Sequence, residues 1–244
     1  MAISIDNESK VYWLENPIWY APHSVIYHYA QHLDTLPPEQ KSTKAFKKAD
    51  ELLVVAHALL GIQITEGDHW MQAVADLEES PDVRTGHWLP SDGQHAPYWE
   101  YQDVEVVMFF PEPHENIGKF LSRTKLSKTK AYDEKTIILL HIQAGTKVDS
   151  WGDIAIALQN TGAVCPVVGL ERIHPERKDY VLFQLHPRLK VMANYNLNDI
   201  LKVQPPRSVL NLHRGSKPSS IKRPNEEHCP FESMGFVCPL LKKV

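Results

Sequence analysis

Two acidic residues stand where strand-like runs could hold them together. Pro81-Asp82-Val83 opens one run, and Asp103-Val104-Glu105-Val106-Val107 lies within another. Alternation along the second run sets Asp103, Glu105 and Val107 on one face and Val104, Val106 and Met108 on the other. Carboxylates inside a buried strand are costly unless an ion or a positive partner offsets their desolvation. Neighbouring strands lie about 4.8 Å apart, so Asp82 and Glu105 could share one cation if their register sets them opposite. Mg2+ or Mn2+ takes such oxygen ligands, holds a phosphate and lowers the pKa of an attacking water. The chemistry expected of this pair is metal-assisted hydrolysis of a phosphodiester.

The elements that would position the pair can be read from hydrophobic spacing. After Pro37-Pro38, Phe46, Ala49, Leu53, Ala56 and Leu60 recur at three- and four-residue steps, which predicts a helix with Gly61 at its C-cap. The period then shortens towards two. Strands are expected over His69–Ala75, Asp82–Leu89 and Tyr98–Phe110, and the run Val104–Phe110 is apolar enough for a central strand buried on both faces. Ile117, Phe120, Leu121, Thr124 and Leu126 predict a second helix carrying Arg123, Lys125, Lys128 and Lys130 on its polar side. A strand over Thr136–Ile142, a helix over Asp149–Gln159 and strands over Cys165–Arg172 and Tyr180–His186 follow. The fold class is therefore α/β: a mixed central sheet flanked by helices, with a core of helix, three-strand meander, helix and strand. An aromatic-rich, loop-like segment (residues 1–36) should pack on this core (37–203), and a basic, partly flexible arm (204–244) should follow it.

That element order, with Pro81-Asp82 at the second core strand and Glu105 on the third, resembles the restriction-endonuclease-like, PD-(D/E)xK, nuclease superfamily. The resemblance covers roughly residues 43–143. It implies a Mg2+- or Mn2+-dependent endonuclease acting on DNA, with Asp82 and Glu105 as metal ligands and catalytic residues. The lysine that the family pattern sets two residues after Glu105 is replaced by Val107. Some members of the superfamily carry this cation on the following helix, which makes Lys119, Arg123 and Lys125 the candidates to stabilise phosphate charge. The alternative is a catalytically inactive nuclease fold that binds nucleic acid or protein within a mobile element or defence system. Residues 70–84 and 121–132 are also similar to bacterial mobile-element proteins.

Charge placement agrees with a nucleic-acid partner, and the resemblance implies DNA in preference to RNA. The 244 residues carry a net charge of −4, yet Pro187–Val244 alone holds ten Lys/Arg against four Asp/Glu. Five cations and no acid lie between Arg207 and Arg223, a pattern suited to phosphate backbone. The longest apolar run, Leu52 to Ile62 around His57, is too short to cross a bilayer, and the N-terminus lacks a secretory apolar region. Three cysteines, Cys165, Cys229 and Cys238, argue against a disulfide framework, so a cytoplasmic location is expected. Cys165 reads as a small apolar filler. His213, His228, Cys229 and Cys238 do not reproduce a common zinc spacing, and no Gly-x-Ser-x-Gly, Walker A or dinucleotide-binding glycine loop is present.

Overall fold

A computed structural model describes residues 18–34, 36–74, 81–89, 98–110, 115–126, 132–146, 148, 150–203, 210–211, 229–231, 234 and 236. The cations of the basic stretch Arg207–Arg223, and Lys128 and Lys130, lie outside them. The chain enters through β1 (Ile18–Trp19) and α1 (Pro22–His28), which continues as one π-type turn to Leu33. The described part of the segment expected to be loop-like is thus largely helical, and Pro22 begins the helix instead of interrupting it. It occupies the first helical turn, where its missing N–H costs no hydrogen bond.

A short helix α2 (Pro38–Lys41) precedes the long α3 (Lys44–Glu66), and Thr43 separates them by accepting the Phe46 N–H on its side-chain oxygen at 3.2 Å. Gly61 is not the C-cap. The helix runs through it to Gly67, whose φ of 83° ends the winding. At Gly61 an added Cβ would meet the Tyr195 ring at 2.5 Å, so the glycine is there for close packing.

Seven strands form one mixed sheet in sequence order: β2 (His69–Ala73), β3 (Val83–Leu89), β4 (Tyr98–Met108), β5 (Thr136–Ile142), β6 (Val167–Arg172), β7 (Asp179–His186) and β8 (Lys190–Asn196). The first three are antiparallel, β4, β5 and β6 are parallel, and the last pairings are antiparallel again. Each parallel step needs a crossover. It is supplied by α4 (Ile117–Thr124) between β4 and β5 and by α5 (Trp151–Gln159) between β5 and β6. The sheet therefore separates two cores. Helix α3 buries Ala49, Leu52, Val55, Ala56, Leu59 and Leu60 on the face that carries Val104, Val106 and Leu139. Helices α4 and α5 bury Ile117, Phe120, Leu121, Ile154 and Leu158 against Val107, Ile138 and Leu140 on the opposite face. Full burial of each of the valine, leucine, isoleucine and phenylalanine side chains contributes about 1.5–3 kcal/mol.

The chain closes through α6 (Leu197–Val203) and β9 (Leu210–Asn211), which pairs with β1. Cys229, Phe231 and Met234 then bury in the α3 core, with the Phe231 ring 6.0 Å from that of Tyr29. The described part of the C-terminal arm is thus docked at both points. Cys229 is disulfide-bonded, against the expectation from the odd cysteine count, whereas Cys165 is a free, buried thiol. No helix among the described residues is long and apolar enough to cross a membrane.

Candidate active site

Strands β3 and β4 pair with Val83 opposite Val104. Asp82 lies just before β3, where the register slips: its N–H donates to the Val104 carbonyl at 3.1 Å although Val104 already stands opposite Val83. The Val106 N–H donates to Asp82 Oδ2 at 2.7 Å, which holds that carboxylate beside the backbone that follows Glu105. The charges of Asp82 and Glu105 both act on the Tyr132 phenol, so the two carboxylates share one neighbourhood where β3 begins.

Each carboxylate has its own ammonium group. Lys48 Nζ, on the first turns of α3, lies 2.9 Å from Asp82 Oδ1 and 3.9 Å from Glu51 Oε2. Lys125 Nζ lies 2.5 Å from Glu105 Oε2. Lys125 is the C-cap of α4, with φ −122°, and leaves the helical path there. The buried Val107 packs with α4, so the amine reaches Glu105 from the end of that helix and not from the strand itself. Glu105 is 1% exposed, and its Oε1 is buried with no hydrogen-bond partner among the described residues.

The other two cations named by the sequence are not brought to the pair. Lys119 is exposed one turn inside α4. Arg123 forms a bidentate pair with Glu115, at 2.9 and 2.8 Å, and its guanidinium covers the Phe120 ring. Sequence reasoning also missed three members of the cluster: Lys48, Glu51 and Tyr132. The signal for two of them was present, since Lys48 lies four residues before Leu52 on the apolar stripe of α3, and Glu51 adjoins it. Charges on a buried stripe need partners. Tyr132 gave no such sign, lying in a connection between α4 and β5.

Burial, followed by the nearby Asp82 charge, pushes the Glu51 carboxyl up to about 7, with Lys48 opposing the shift. Burial and then the charges of Glu105 and Asp82 push the Tyr132 phenol upward. Burial lowers His57 and His141 to about 3 and about 4, so both imidazoles are neutral at neutral pH. For Glu51 the folded state binds a proton that the unfolded chain has released. Stability should therefore fall as pH rises from about 4.5 to about 7. Urea unfolding of the wild type and of Glu51→Gln across that range checks this: the substitution should flatten the decline, and parallel curves would contradict it.

Among the described residues, no group of three or more His, Cys, Asp or Glu side chains could hold a metal ion. Two carboxylates do suit Mg2+, which retains several waters and commonly takes one or two protein carboxylates beside substrate phosphate. The unpartnered Glu105 Oε1 is the oxygen left for such an ion. Asp82 could contribute only by releasing Lys48 or the Val106 N–H. The donor set fits a hard divalent cation held in part by water.

No family model, curated protein or solved structure matches the chain.

Proposed function

We propose that this protein is a metal-dependent nuclease that hydrolyses phosphodiester bonds in DNA. The observation that carries the reading is the shared neighbourhood of Asp82 and Glu105 where β3 begins, with Asp82 accepting the Val106 N–H and Lys125 brought to Glu105 from the end of α4. It is the arrangement that the resemblance to the PD-(D/E)xK superfamily leads one to expect when the lysine has moved off the strand. Asp82 and Glu105 would hold Mg2+ or Mn2+. When bound, such an ion polarises a phosphoryl oxygen and eases deprotonation of water. The Lys125 ammonium holds positive charge beside the reacting phosphate. Glu51 can accept or release a proton near neutrality, and Lys48 orients the Asp82 carboxylate.

A second reading has its own support. Both acids already carry a lysine, so their charge is balanced without an ion. That balance suits a catalytically inactive nuclease fold that binds nucleic acid or protein. Incubation of the full chain with plasmid DNA and Mg2+ or Mn2+ separates the two. The nuclease reading expects cleavage that EDTA stops and that Asp82→Asn and Glu105→Gln each abolish. Cleavage surviving both substitutions would remove this site from consideration, and absence of cleavage from the folded wild type would favour the binding module.

A further inference from the structure

The carboxyl end of the parallel strands gathers a second set of titratable groups. The pairing places Met108 beside His141, His141 beside Leu170, and Arg172, further along β6, beside Tyr180. Leu139, Leu170 and Tyr180 belong to the α3 core, so alternation sets His141 and Arg172 on that same side of the sheet. His57 of α3 closes the row from above. Its ring lies 5.1 Å from the Tyr180 ring, and its carbonyl accepts the Tyr195 hydroxyl at 2.6 Å. Glu105 shares the parity of Val107 and so belongs to the opposite side of the sheet, with α4.

This row is short of negative charge. The Arg172 guanidinium donates from Nε to the Arg177 carbonyl at 3.2 Å and from Nη2 to the Pro175 carbonyl at 2.6 Å. Both acceptors are neutral, and among the described residues no carboxylate pairs with Arg172 or Lys178. Glu171 and Asp179 alternate onto the opposite side of the sheet, and Asp179 accepts from the Asn196 amide at 2.6 Å. Among the described residues the His57 ring has no hydrogen bond, and His141 Nδ1 meets only the Met108 sulfur, at 3.4 Å. Burial, then the fields of His141, Lys178 and Arg172, hold the His57 imidazole down at about 3. Burial and then Arg172 hold His141 at about 4. His57, His141, Arg172 and Met108 are each half-buried, so water still reaches the space between them. A partly buried guanidinium without a counter-charge is costly, and an anion would offset that cost.

We propose that His57, His141 and Arg172 form a binding site for a phosphate dianion, either free or as the phosphoryl group of a small phosphomonoester. Each neutral imidazole has one N–H to donate. The guanidinium keeps its Nη1 donors clear of the two hairpin carbonyls. These groups arrive from α3, β5 and β6, and three directions of approach suit a tetrahedral oxyanion better than a flat carboxylate. The positive field of Arg172 and Lys178 opposes a metal ion at the same imidazoles and attracts an anion. Crevices outside the carboxyl ends of the strands are where open α/β sheets bind their ligands. The site is independent of the nuclease reading.

Calorimetric titration of the full chain with inorganic phosphate, in a phosphate-free buffer with chloride holding the ionic strength constant, tests the site without any nucleic acid. One phosphate should bind per chain, and the ring resonances of His57 and His141 should move in NMR spectra. Arg172→Gln should weaken binding at least about tenfold, as loss of a charge-assisted hydrogen bond does. Lys190→Gln, at the opposite end of β8 from Tyr195, should leave it unchanged. Should Arg172→Gln fail to fold by circular dichroism, His141→Ala is held to the same criterion. Glycerol 3-phosphate separates the two sources: tighter binding than inorganic phosphate assigns a phosphomonoester, and weaker binding assigns free phosphate. No binding above the chloride control, unmoved imidazole resonances, or equal weakening by Lys190→Gln would overturn the site.

Discussion

Lys125→Met is expected to cost the fold about 3 kcal/mol, and Glu105→Gln in the same chain is expected to return most of it. Glu105 is 1% exposed, one oxygen rests on Lys125 and the other is buried without a hydrogen-bond partner among the described residues. Removing the ammonium leaves a negative charge in the interior with no other cation free to replace it, and the Tyr132 hydroxyl offers only a neutral hydrogen bond. Lys48 is committed to Asp82 at 2.9 Å, and Arg123 to Glu115. Lys125 itself is 20% exposed, so water entering beside the methionine recovers part of the loss and holds the cost at the lower end for a broken buried pair. Glu105→Gln removes the charge while keeping the shape, which is why the double variant should regain stability. Urea midpoints of the wild type, both single variants and the double variant measure the coupling. Additive single effects would mean that the pair is not an energetic unit.

The cluster was legible in the sequence where alternation on a buried strand makes an acid anomalous. Asp82 and Glu105 stand out because their neighbours Val83, Val104 and Val106 are apolar. Lys125 was one of three equivalent choices, because spacing along α4 cannot say where the helix ends. The helix ends at Thr124, and departure from helical geometry at the next residue separates Lys125 from Lys119 and Arg123. Lys48 and Glu51 could have been found on the α3 stripe, whereas Tyr132 is brought in by tertiary packing alone.

The fold was legible to a similar depth. Element types over α3, β2–β7, α4 and α5 follow from period and composition. Their ends depend on contacts distant in sequence: Gly61 reads as a helix stop but is explained by the Tyr195 ring. Strand β8 escaped notice because it lies at the sheet edge, with Val191 65% exposed and only Ala193 and Tyr195 buried. Pro22 reads as a breaker yet begins α1, and the burial of Cys229 and Phe231 depends on a core assembled about two hundred residues earlier in the chain.

On the proposed nuclease reading, Asp82 and Glu105 bind one divalent cation. A hard cation has an oxygen waiting at Glu105 Oε1, and it would compete with Lys48 at Asp82 and lie beside Lys125 at Glu105. Binding should therefore be weakened by the two ammonium groups and lost when either carboxylate is neutralised. Loss of an outer partner of a metal ligand already costs roughly 10–100-fold in affinity, so loss of a ligand should cost at least about a hundredfold. Electron paramagnetic resonance of free Mn2+, titrated with the full-length protein, measures this directly. One Mn2+ bound per chain, abolished by Asp82→Asn and by Glu105→Gln in folded protein, is the result expected. No binding by the wild type, or binding that both variants retain, would contradict it.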